Sequence, residues 1–587
     1  MQDKEFPGRG EHQVLGDVEH HTAVNDALDA LEKDKIVDKV WSRDPSVWKR
    51  DPEHQKIISN ALGWLSVADT VLEHIDELTS FAEEVRREGF KHVLLLGMGG
   101  SSLCPEVLRR SFGRIEGYPE LLVLDSTVPA SVLSFERRID PARTMFIVSS
   151  KSGKTTEPQV FLDYFFDRVA RTSGSAEPGR NFIAITDPGT LLEKIAQGKG
   201  FRRVFSNPAD IGGRYSALSY FGMVPAALAG YDVKEILTRA VAAMQSCKAA
   251  AKENTGAQLG AALGALARSG RNKLTLVTPE PIDSLGLWIE QLIAESTGKE
   301  GSGILPVAGE RLGGPEVYGD DRVFVYLGKP GFASTESGAR LRALAYAHHP
   351  VVVREVAAPL DLGREFFIWE FATAIAGAIL EINPFDQPNV QESKDNTERL
   401  LAEFEREGRF SEQELLASSD GLGLYAGGKT QSLIGPNSTP LSIIATHLES
   451  VMLGDYVALT AYIEGTPEHD HLLDDIRTHI RDSTRVATTV GYGPRFLHST
   501  GQLHKGGPAT GVFIQITSDD REEVPIPGRP YGFSTLKQAQ ALGDFESLAN
   551  RSRRVIRVHL SKGVAEGLKT LLDLVRKAKP ITASATE

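Results

Sequence analysis

Two loops rich in glycine and hydroxyl groups follow predicted strands and could hold an anion. The first is GMGGSS (97–102), where glycines let the backbone turn tightly so that N–H groups point at the ligand. A dinucleotide site needs G-x-G-x-x-G, and Asp125 at the end of the next strand fits such a site, but the sixth position is Ser102. A compact phosphate, a sugar and a purely structural turn therefore remain alternatives to a dinucleotide.

The second loop, SSKSGKTTE (149–157), follows another predicted strand. Seven of its nine residues carry a hydroxyl or an ammonium group. This composition at the carboxyl end of a parallel strand suits a phosphate site, although a solvated turn is the alternative. The match to a P-loop fails, because the required first glycine would fall at Val148.

Two further segments carry an arginine and a glutamate that could act on one substrate. In DIGGRYS (210–216), two glycines precede Arg214, so that backbone and guanidinium can meet one oxyanion. The helix from about 283 to 295 has an apolar face, and Gln291 and Glu295 lie four residues apart along its edge. A glutamate there could be a general base, or a boundary residue paired with a lysine.

Polar residues also follow the ends of two later elements. NPFDQPNVQESK (383–394) brings Asp386, Gln387 and Lys394 after a long apolar helix. HSTGQLHKGG (498–507) places two histidines six residues apart, which is not a helical ligand spacing, so proton transfer or hydrogen bonding is favoured over a metal.

A complete G-x-x-x-x-G-K-T pattern at 423–430 is interpreted as a chance match. A P-loop needs a strand before the pattern and a helix after it. A polar stretch precedes this one, and Gly435 and Pro436 interrupt any following helix. We therefore do not predict an NTPase.

Short apolar runs, many rich in β-branched residues, alternate with helical stretches and position these motifs. This alternation predicts buried parallel strands in doubly wound α/β sheets. The predicted strands cover 92–97, 121–125, 144–150, 181–186 and 202–207, then 273–278, 322–327 and 351–356, then 456–463, 485–493, 511–517 and 553–560, with a long apolar helix over 364–382.

These runs divide the 587 residues into four parts. Residues 1–60 are predicted as an irregular, weakly helical lead-in, broken by Pro45 and Pro52. Residues 61–232 and 233–394 form two α/β domains, and 395–587 form a third, C-terminal α/β unit. The Gly/Ser-rich stretch 395–440 is the predicted boundary.

Composition narrows the class of protein. The net charge of −13, with 65 basic and 78 acidic residues, weighs against nucleic acid as a partner. Two cysteines exclude a disulfide scaffold and a Cys-built metal site. No apolar run reaches the roughly 18 residues that span a bilayer, and no export signal is visible. We expect a cytoplasmic protein without membrane contacts.

Together the motifs GMGGSS, SSKSGKTTE, DIGGRYS, WIEQLIAESTGKEG and NPFDQPNVQESK resemble those of the glucose-6-phosphate isomerase (phosphoglucose isomerase) family over about residues 60–394. The C-terminal HSTGQLHKGG is similar to the isomerase half of bacterial transaldolase/glucose-6-phosphate isomerase fusions. The resemblance implies two sugar isomerase (SIS) domains, usually in a homodimer, with no metal or cofactor. It also raises the question of a separately encoded transaldolase partner.

The resemblance implies a role for each matching residue. Ser150, Ser152 and Thr155 would hold the phosphate beside Lys151. Gly100 and Ser101 would line the sugar. Arg214 and the Gly213 backbone would stabilise an enediolate. Glu295 would move the proton between C2 and C1, with Gln291 alongside. Gln387 and Lys394 would complete the site, and Lys394 would assist ring opening.

The histidine that opens the sugar ring in this family has no clear counterpart. The expected interval offers His348 and His349 in a different kind of segment. We hypothesise that His504 or His498 replaces it. The alternatives to this isomerase are a non-catalytic sugar-phosphate sensor and another aldose–ketose sugar-phosphate isomerase.

Overall fold

The structure is a computed structural model that describes residues 14–15, 17–173 and 177–578. Three α/β sheets lie side by side in it, and each has its own core of parallel strands. This confirms the predicted α/β class with a third C-terminal unit. Among the described helices, none is both long and apolar enough to cross a membrane.

The N-terminal segment is more regular than its sequence predicts. Pro52 begins a helix instead of breaking one, because Asp51 caps it by accepting hydrogen bonds from the backbone of Glu53 and His54. The elements before the first sheet are β1 (Val14–Leu15), α1 (Val18–Lys33), α2 (Ile36–Trp41), α3 (Pro52–Ser59), α4 (Val67–Glu73) and α5 (Ile75–Arg87).

The first sheet has five parallel strands in the order β3-β2-β4-β5-β6. Its elements are β2 (His92–Gly97), α6 (Leu103–Phe112), β3 (Glu120–Leu124), α7 (Pro129–Arg138), β4 (Thr144–Ser149), α8 (Thr156–Ser173), β5 (Phe182–Thr186), α9 (Leu191–Gly198) and β6 (Arg203–Ser206). All five predicted strands are confirmed. The apolar runs of β2 to β5 are buried on both faces, whereas β6 at the edge of the sheet is only partly buried.

The second sheet has the order β1-β10-β9-β7-β8, with β1 antiparallel at one edge. Its elements are α10 (Tyr220–Leu228), α11 (Val233–Ser246), α12 (Thr255–Arg268), β7 (Lys273–Val277), α13 (Leu285–Thr297), β8 (Leu305–Val307), β9 (Arg322–Gly328), α14 (Glu336–Tyr346), β10 (Val351–Glu355) and α15 (Leu362–Ile379). The edge strands β1 and β8 were missed because two or three residues are too short to show a period.

The third sheet has the order β11-β12-β16-β15-β13-β14, in which β11 and β12 are antiparallel and the other four strands are parallel. Its region comprises α16 (Val390–Glu407), β11 (Ala417–Ser419), β12 (Leu422–Gly427), α17 (Gly428–Gln431), α18 (Pro440–Glu449), β13 (Tyr456–Tyr462), α19 (Pro467–Thr484), β14 (Ala487–Tyr492), α20 (Gly501–Gly506), β15 (Gly511–Ser518), α21 (Phe533–Asn550), β16 (Arg554–Leu560) and α22 (Val564–Lys577).

Helix α16 runs across the predicted boundary between residues 394 and 395. Leu400 and Leu401 of this helix share a hydrophobic core with the first sheet and with α21. In the same core, Phe533 stacks on Phe161 with ring centroids 6.0 Å apart. The third unit is therefore packed onto the first by buried apolar contacts.

Candidate active site

Arg214 is a buried charged group with four hydrogen-bond acceptors. It lies in a short turn that spans Gly213–Tyr215, and only 2% of its surface is exposed. Its guanidinium donates to Ser296 Oγ (2.7 Å), Gln387 Oε1 (3.0 Å) and the carbonyl oxygens of Pro384 (2.6 Å) and Asp386 (3.0 Å). These bonds fix the plane of the guanidinium and leave one edge toward Glu295.

Glu295 approaches Arg214 from α13 in the second unit. Glu295 Oε1 lies 3.6 Å from Arg214 Nη1, and its other oxygen accepts a 3.1 Å hydrogen bond from Gln291 Nε2. Glu295 as a whole residue is 8% exposed. The structure thus brings together the predicted base, its predicted neighbour and the predicted guanidinium, which come from different sheets.

Gly100 and Ser101 lie where the first glycine loop meets the Arg214 turn. A Cβ added to Gly100 would come within 2.0 Å of the Gly213 carbonyl oxygen, so only glycine permits this approach. The Ser101 carbonyl oxygen accepts a 3.1 Å hydrogen bond from Ser149 Oγ. This contact ties the glycine loop to the end of β4, where the second hydroxyl-rich loop begins.

The hydroxyl-rich loop connects β4 to the N-terminus of α8. Ser150 Oγ donates to Thr155 Oγ1 over 3.3 Å, and Ser152 Oγ accepts from the backbone N–H of Lys154 over 3.2 Å. Lys151 forms an ion pair with Asp187 and donates to the Ala209 carbonyl over 2.9 Å. Hydroxyls, an ammonium group and the first turn of an 18-residue helix therefore converge, as phosphate binding requires.

A histidine from the third unit completes this group of residues. His498 ends a short turn after β14, and its Nε2 lies 3.1 Å from Glu157 Oε1 at the start of α8. The His498 carbonyl oxygen accepts a 2.8 Å hydrogen bond from Gln291 Nε2. Sequence reasoning offered His498 as one of two candidates but assigned no role to Glu157.

The environment of Glu157 keeps this carboxyl group ionised. Burial alone would raise its pKa, but the charge of His498 and the hydrogen bond between them outweigh burial, and the pKa of Glu157 lies below its usual range. A carboxylate fixed beside one ring nitrogen orients the imidazole.

A cavity of about 60 Å³ lies between the hydroxyl-rich loop and the third unit, and its lining includes Thr155, Glu157, Lys394 and His498 but neither Arg214 nor Glu295. Thr155 and Glu157 come from the first unit, His498 comes from the third, and Lys394 on α16 lies opposite them. Gln387 lies at the edge of the site, where its Oε1 accepts a hydrogen bond from Arg214. The cavity therefore joins the end of the predicted phosphate loop to His498 and Lys394, two of the predicted acid–base groups.

Comparison with known proteins identifies the relatives of this site. A family model described as phosphoglucose isomerase matches residues 26–314, which include the glycine loop, the hydroxyl-rich loop, Arg214 and Glu295. Over residues 26–314 the chain is therefore similar to proteins of the phosphoglucose isomerase family.

Individual relatives agree with the family match. The glucose-6-phosphate isomerase of Rubrobacter xylanophilus is 29% identical over 369 residues, which are 55% of this chain and 85% of the relative. The glucose-6-phosphate isomerase of Symbiobacterium thermophilum is 28% identical over 401 residues, or 60% of this chain and 89% of the relative.

Solved structures share the fold over a similar length. A hypothetical protein from Thermus thermophilus has a TM-score of 0.56 at 24% identity, covering 66% of this chain and all of that one. A glucose-6-phosphate isomerase from Chlamydia trachomatis has a TM-score of 0.53 at 18% identity, covering 65% of this chain and 86% of that one. At these identities the likeness concerns the fold alone.

The phosphoglucose isomerase match ends before the segment that provides His498, so the third unit makes its own contribution to the site. Gln540 on α21 donates to Glu157 Oε1 over 2.7 Å and accepts from Thr127 Oγ1 over 2.7 Å. Arg495 forms two hydrogen bonds of 2.7 Å with the carboxylate of Asp125. Sequence reasoning missed Gln540 and Arg495, because nothing near them in the chain indicates these partners.

Lys299 closes the side of the site behind Arg214. Its ammonium group donates to Asp386 Oδ1 and to the Asn383 carbonyl, each over 2.7 Å. Burial, together with the positive charge of Arg214, lowers the pKa of Lys299 to about 8. This lysine was not predicted, although it ends the STGK segment directly after Glu295.

His504, the other candidate for ring opening, lies apart from these groups. Its ring is packed among Tyr456, Phe496 and Phe513, and neither ring nitrogen has a hydrogen-bond partner within the described residues. Burial lowers the pKa of His504 well below its usual range. These surroundings give His504 a packing role and leave His498 as the candidate at the site.

The P-loop-like pattern at 423–430 differs from its sequence description in one respect. Strand β12 (Leu422–Gly427) covers most of the pattern itself, whereas a P-loop has its strand before the first glycine. The helix that follows has only four residues. Thr430, where a P-loop has its metal-binding hydroxyl, is fully buried and lies 3.1 Å from His447 Nδ1. The segment therefore contributes to the core of the third unit.

Proposed function

We propose that this chain catalyses the reversible isomerisation of glucose 6-phosphate to fructose 6-phosphate. The observation that carries this proposal is the 3.6 Å approach of Glu295 to Arg214 beside a hydroxyl-rich anion site. Aldose–ketose isomerisation needs a base, a stabiliser for the developing oxyanion and a group that opens the ring. The phosphoglucose isomerase match over residues 26–314 supports the same reaction class.

Phosphate binding would orient the substrate. Ser150, Ser152 and Thr155 would donate hydroxyl hydrogen bonds, Lys151 would add a positive charge, and the N-terminus of α8 would add backbone N–H groups. The sugar would then extend past Gly100 and Ser101 toward α13. The close approach of Gly100 to Gly213 brings the glycine loop against the turn that carries Arg214, which supports a sugar position beside both.

Ring opening would be the work of His498. The imidazole, oriented by Glu157, can give a proton to the ring oxygen while the C1 hydroxyl gives its own proton to water and the bond between C1 and the ring oxygen breaks. Lys394, on the opposite side of the cavity, would stabilise negative charge as the ring opens. The result is an open-chain aldehyde whose C2 hydrogen can be removed.

Proton transfer would then run through Glu295. Its carboxylate takes the C2 proton, the C–H electron pair forms the C1–C2 double bond, and the aldehyde oxygen becomes an enediolate oxygen. Arg214 and the Gly213 backbone would stabilise that charge. The proton would then return from Glu295 to C1, while the C2 hydroxyl gives its proton to the C1 oxygen and becomes a carbonyl. The hydrogen bond from Gln291 would hold the glutamate in position.

The substitution Glu295→Gln tests the proposal. It should lower kcat by about 100- to 10,000-fold and leave the affinity for the sugar phosphate largely intact, because the amide cannot accept the C2 proton. Activity is measured in a coupled assay, and affinity by calorimetry. Glu300→Gln is the matched control, since Glu300 is half exposed and pairs with Lys49.

Three results would overturn the assignment. Near-full turnover in Glu295→Gln would exclude this carboxylate as the base. Sugar-phosphate binding without turnover in the unmodified chain would identify a sensor. Turnover of a different sugar phosphate would place the chain with another aldose–ketose isomerase.

We also propose that the chain represents the fusion-type isomerase to which HSTGQLHKGG is similar, acting in the cytoplasm. His498, the first residue of that segment, lies beside Glu157, which supports a catalytic use for the segment. A homodimer and an association with a separate transaldolase remain predictions. Sedimentation of the chain alone and with a transaldolase tests both.

A further inference from the structure

Gln502 is a residue of the third unit that joins two helices of the candidate active site. It lies on α20, four residues after His498, and is fully buried. Its Nε2 donates to the Gly298 carbonyl over 2.9 Å and to Asn389 Oδ1 over 2.8 Å, and its Oε1 accepts from the Asn389 backbone N–H over 2.9 Å. Both amide protons and the amide oxygen are therefore engaged, so a rotation of the amide would break all three hydrogen bonds.

The bond to Gly298 fixes the end of α13. Gly298 is the C-cap residue of this helix, and carbonyl groups at a helix C-terminus lack partners within the helix. Gln291, seven residues earlier on α13, donates to the His498 carbonyl over 2.8 Å. At 1.5 Å per residue the two contacts lie about 10 Å apart along the helix, and Glu295 lies between them. The third unit therefore holds α13 on both sides of the proposed base.

The two bonds to Asn389 fix the start of α16. Asn389 is the N-cap residue of this helix, and Lys394 lies five residues further along the chain. Asn389 also ends the segment 383–389, whose backbone carbonyls accept two hydrogen bonds from Arg214. Because this segment is short, fixing its last residue restricts where its carbonyls and the first turn of α16 can lie.

Gly506, at the end of α20, packs directly on this network. A Cβ at that position would lie within 2.8 Å of Asn389 Oδ1, Gln502 Nε2 and the Gly298 carbonyl oxygen. A side chain there would have to displace the hydrogen-bonded groups, so the close approach requires glycine. The end of α20 is therefore in contact with the Gln502 amide and with both of its partners.

The third unit anchors α20 through a buried ion pair. Lys505 donates to Asp544 Oδ1 over 2.7 Å, and each side chain is 1% exposed. Loss of one partner would leave an uncompensated buried charge, which strongly opposes separation of the pair. Asp544 lies on α21, one turn after Gln540, which donates to Glu157. The helix that contacts Glu157 thus also sets the position of α20.

We propose that Gln502 is a positioning residue for the isomerisation, which holds the base on α13 and the lysine on α16 at a fixed separation. It acts through Gly298 and Asn389 and is not one of the described residues that line the cavity. This role rests on the proposed function, since only a reaction that uses both Glu295 and Lys394 requires their separation to be fixed.

The substitution Gln502→Met tests this role, because it keeps the length of the side chain and removes all three hydrogen bonds. We expect kcat to fall about tenfold or more, since displaced catalytic groups lower turnover. KM should change by less than about threefold, because the phosphate loop belongs to the first unit.

Asn254→Leu is the matched control. Asn254 is another fully buried amide, and its side chain bonds the Cys247 carbonyl and the Ala257 N–H in the second unit. This variant should lower the Tm, as Gln502→Met does, and should leave kcat unchanged. If Gln502→Met does not fold, Asn389→Ala removes one acceptor of the network at a half-buried position and should lower kcat by about threefold.

Hydrogen–deuterium exchange measures the positioning without reference to activity. In Gln502→Met, exchange should accelerate over 383–397 and at the C-terminal end of α13, and it should stay unchanged over α9 in the first unit. A kcat within twofold of that of the unmodified chain, or faster exchange spread evenly over all three units, would overturn the proposal. An unmodified chain without isomerase activity would instead exclude the proposed function, and the exchange pattern would still decide whether Gln502 fixes the two helices.

Discussion

At the scale of single residues, the contact between His498 and Glu157 is the feature of the site that the sequence predicts least. The sequence provides two histidines in one Gly-rich segment with no means of ranking them. Packing separates them, because His504 enters an aromatic core while His498 meets a carboxylate. The same burial that removes water from His504 also removes its access to substrate.

We expect His498→Asn to lower kcat by about 100-fold, since ring opening would lose its proton donor. Glu157→Gln should cause a smaller loss, because it disturbs the orientation of the ring and leaves the ring present. The kcat of the double variant should be no lower than that of His498→Asn, because the effects of residues that act as a unit are not additive.

A coupled assay on cyclic substrate measures these losses. The control is His479→Asn, since His479 is a partly buried residue of α19 that does not line the cavity. If His504→Asn abolished turnover and His498→Asn did not, the assignment of the ring-opening histidine would be reversed.

Glu290 provides a prediction about stability. Burial, only partly offset by Arg477 and Arg495, raises the pKa of Glu290 to about 8. The folded pKa exceeds the ordinary value of 4.5, so the folded chain holds an extra proton between these pH values. The stabilising contribution is fully present below pH 4.5 and is lost as the pH rises through 8.

Glu290→Gln mimics the protonated group at every pH. Its Tm relative to the unmodified chain should therefore rise between pH 5 and pH 8.5, by the equivalent of roughly 1–3 kcal/mol given about 1.4 kcal/mol per pKa unit. Differential scanning fluorimetry measures the change, with Glu300→Gln as control. A difference that stays constant over this range would show that Glu290 titrates normally.

At the scale of elements, the site depends on short turns that are fixed by hydrogen bonds to residues distant in the chain. The Gly213–Tyr215 turn is fixed by the hydrogen bonds of Arg214, and the turn that ends at His498 is fixed by Arg495 and Asp125. The sequence identifies the first turn through its glycines. It does not identify the second, whose partner Asp125 lies 370 residues away in the chain.

Arg495→Met tests whether this second turn is positioned by its ion pair. Without the paired hydrogen bonds to Asp125, the turn should move and the orientation of His498 should be lost. We expect kcat to fall at least tenfold with little change in KM, because the phosphate loop is untouched.

Arg495→Lys should recover part of the rate by restoring the charge without the second hydrogen bond. A KM effect with an unchanged kcat would indicate instead that Arg495 acts on substrate binding.

At the scale of the whole molecule, one chain provides every proposed catalytic group. Glu157 and Arg214 come from the first unit, Glu295 from the second and His498 from the third. We therefore expect the activity per chain to stay constant on dilution from micromolar to nanomolar concentration, whether or not the chain dimerises. Light scattering at each concentration reports the oligomeric state. A fall in specific activity that follows dissociation would show that a partner chain contributes to the site.

The sequence alone determined the elements and the types of chemical group. Strands such as His92–Gly97 and Tyr456–Tyr462 were predictable because local apolar runs dominate their burial. Gly100, Arg214 and Glu295 were predictable because their loops and helix face impose local patterns.

Tertiary structure decided which of these groups meet. Glu157 and His498 are separated by 341 residues, and Thr127 and Gln540 by 413, so no local pattern relates them. They meet because α16 and α21 share an apolar core with the first sheet and thereby hold the third unit over its carboxyl edge. That packing depends on the summed burial of many side chains, which sequence periodicity does not reveal.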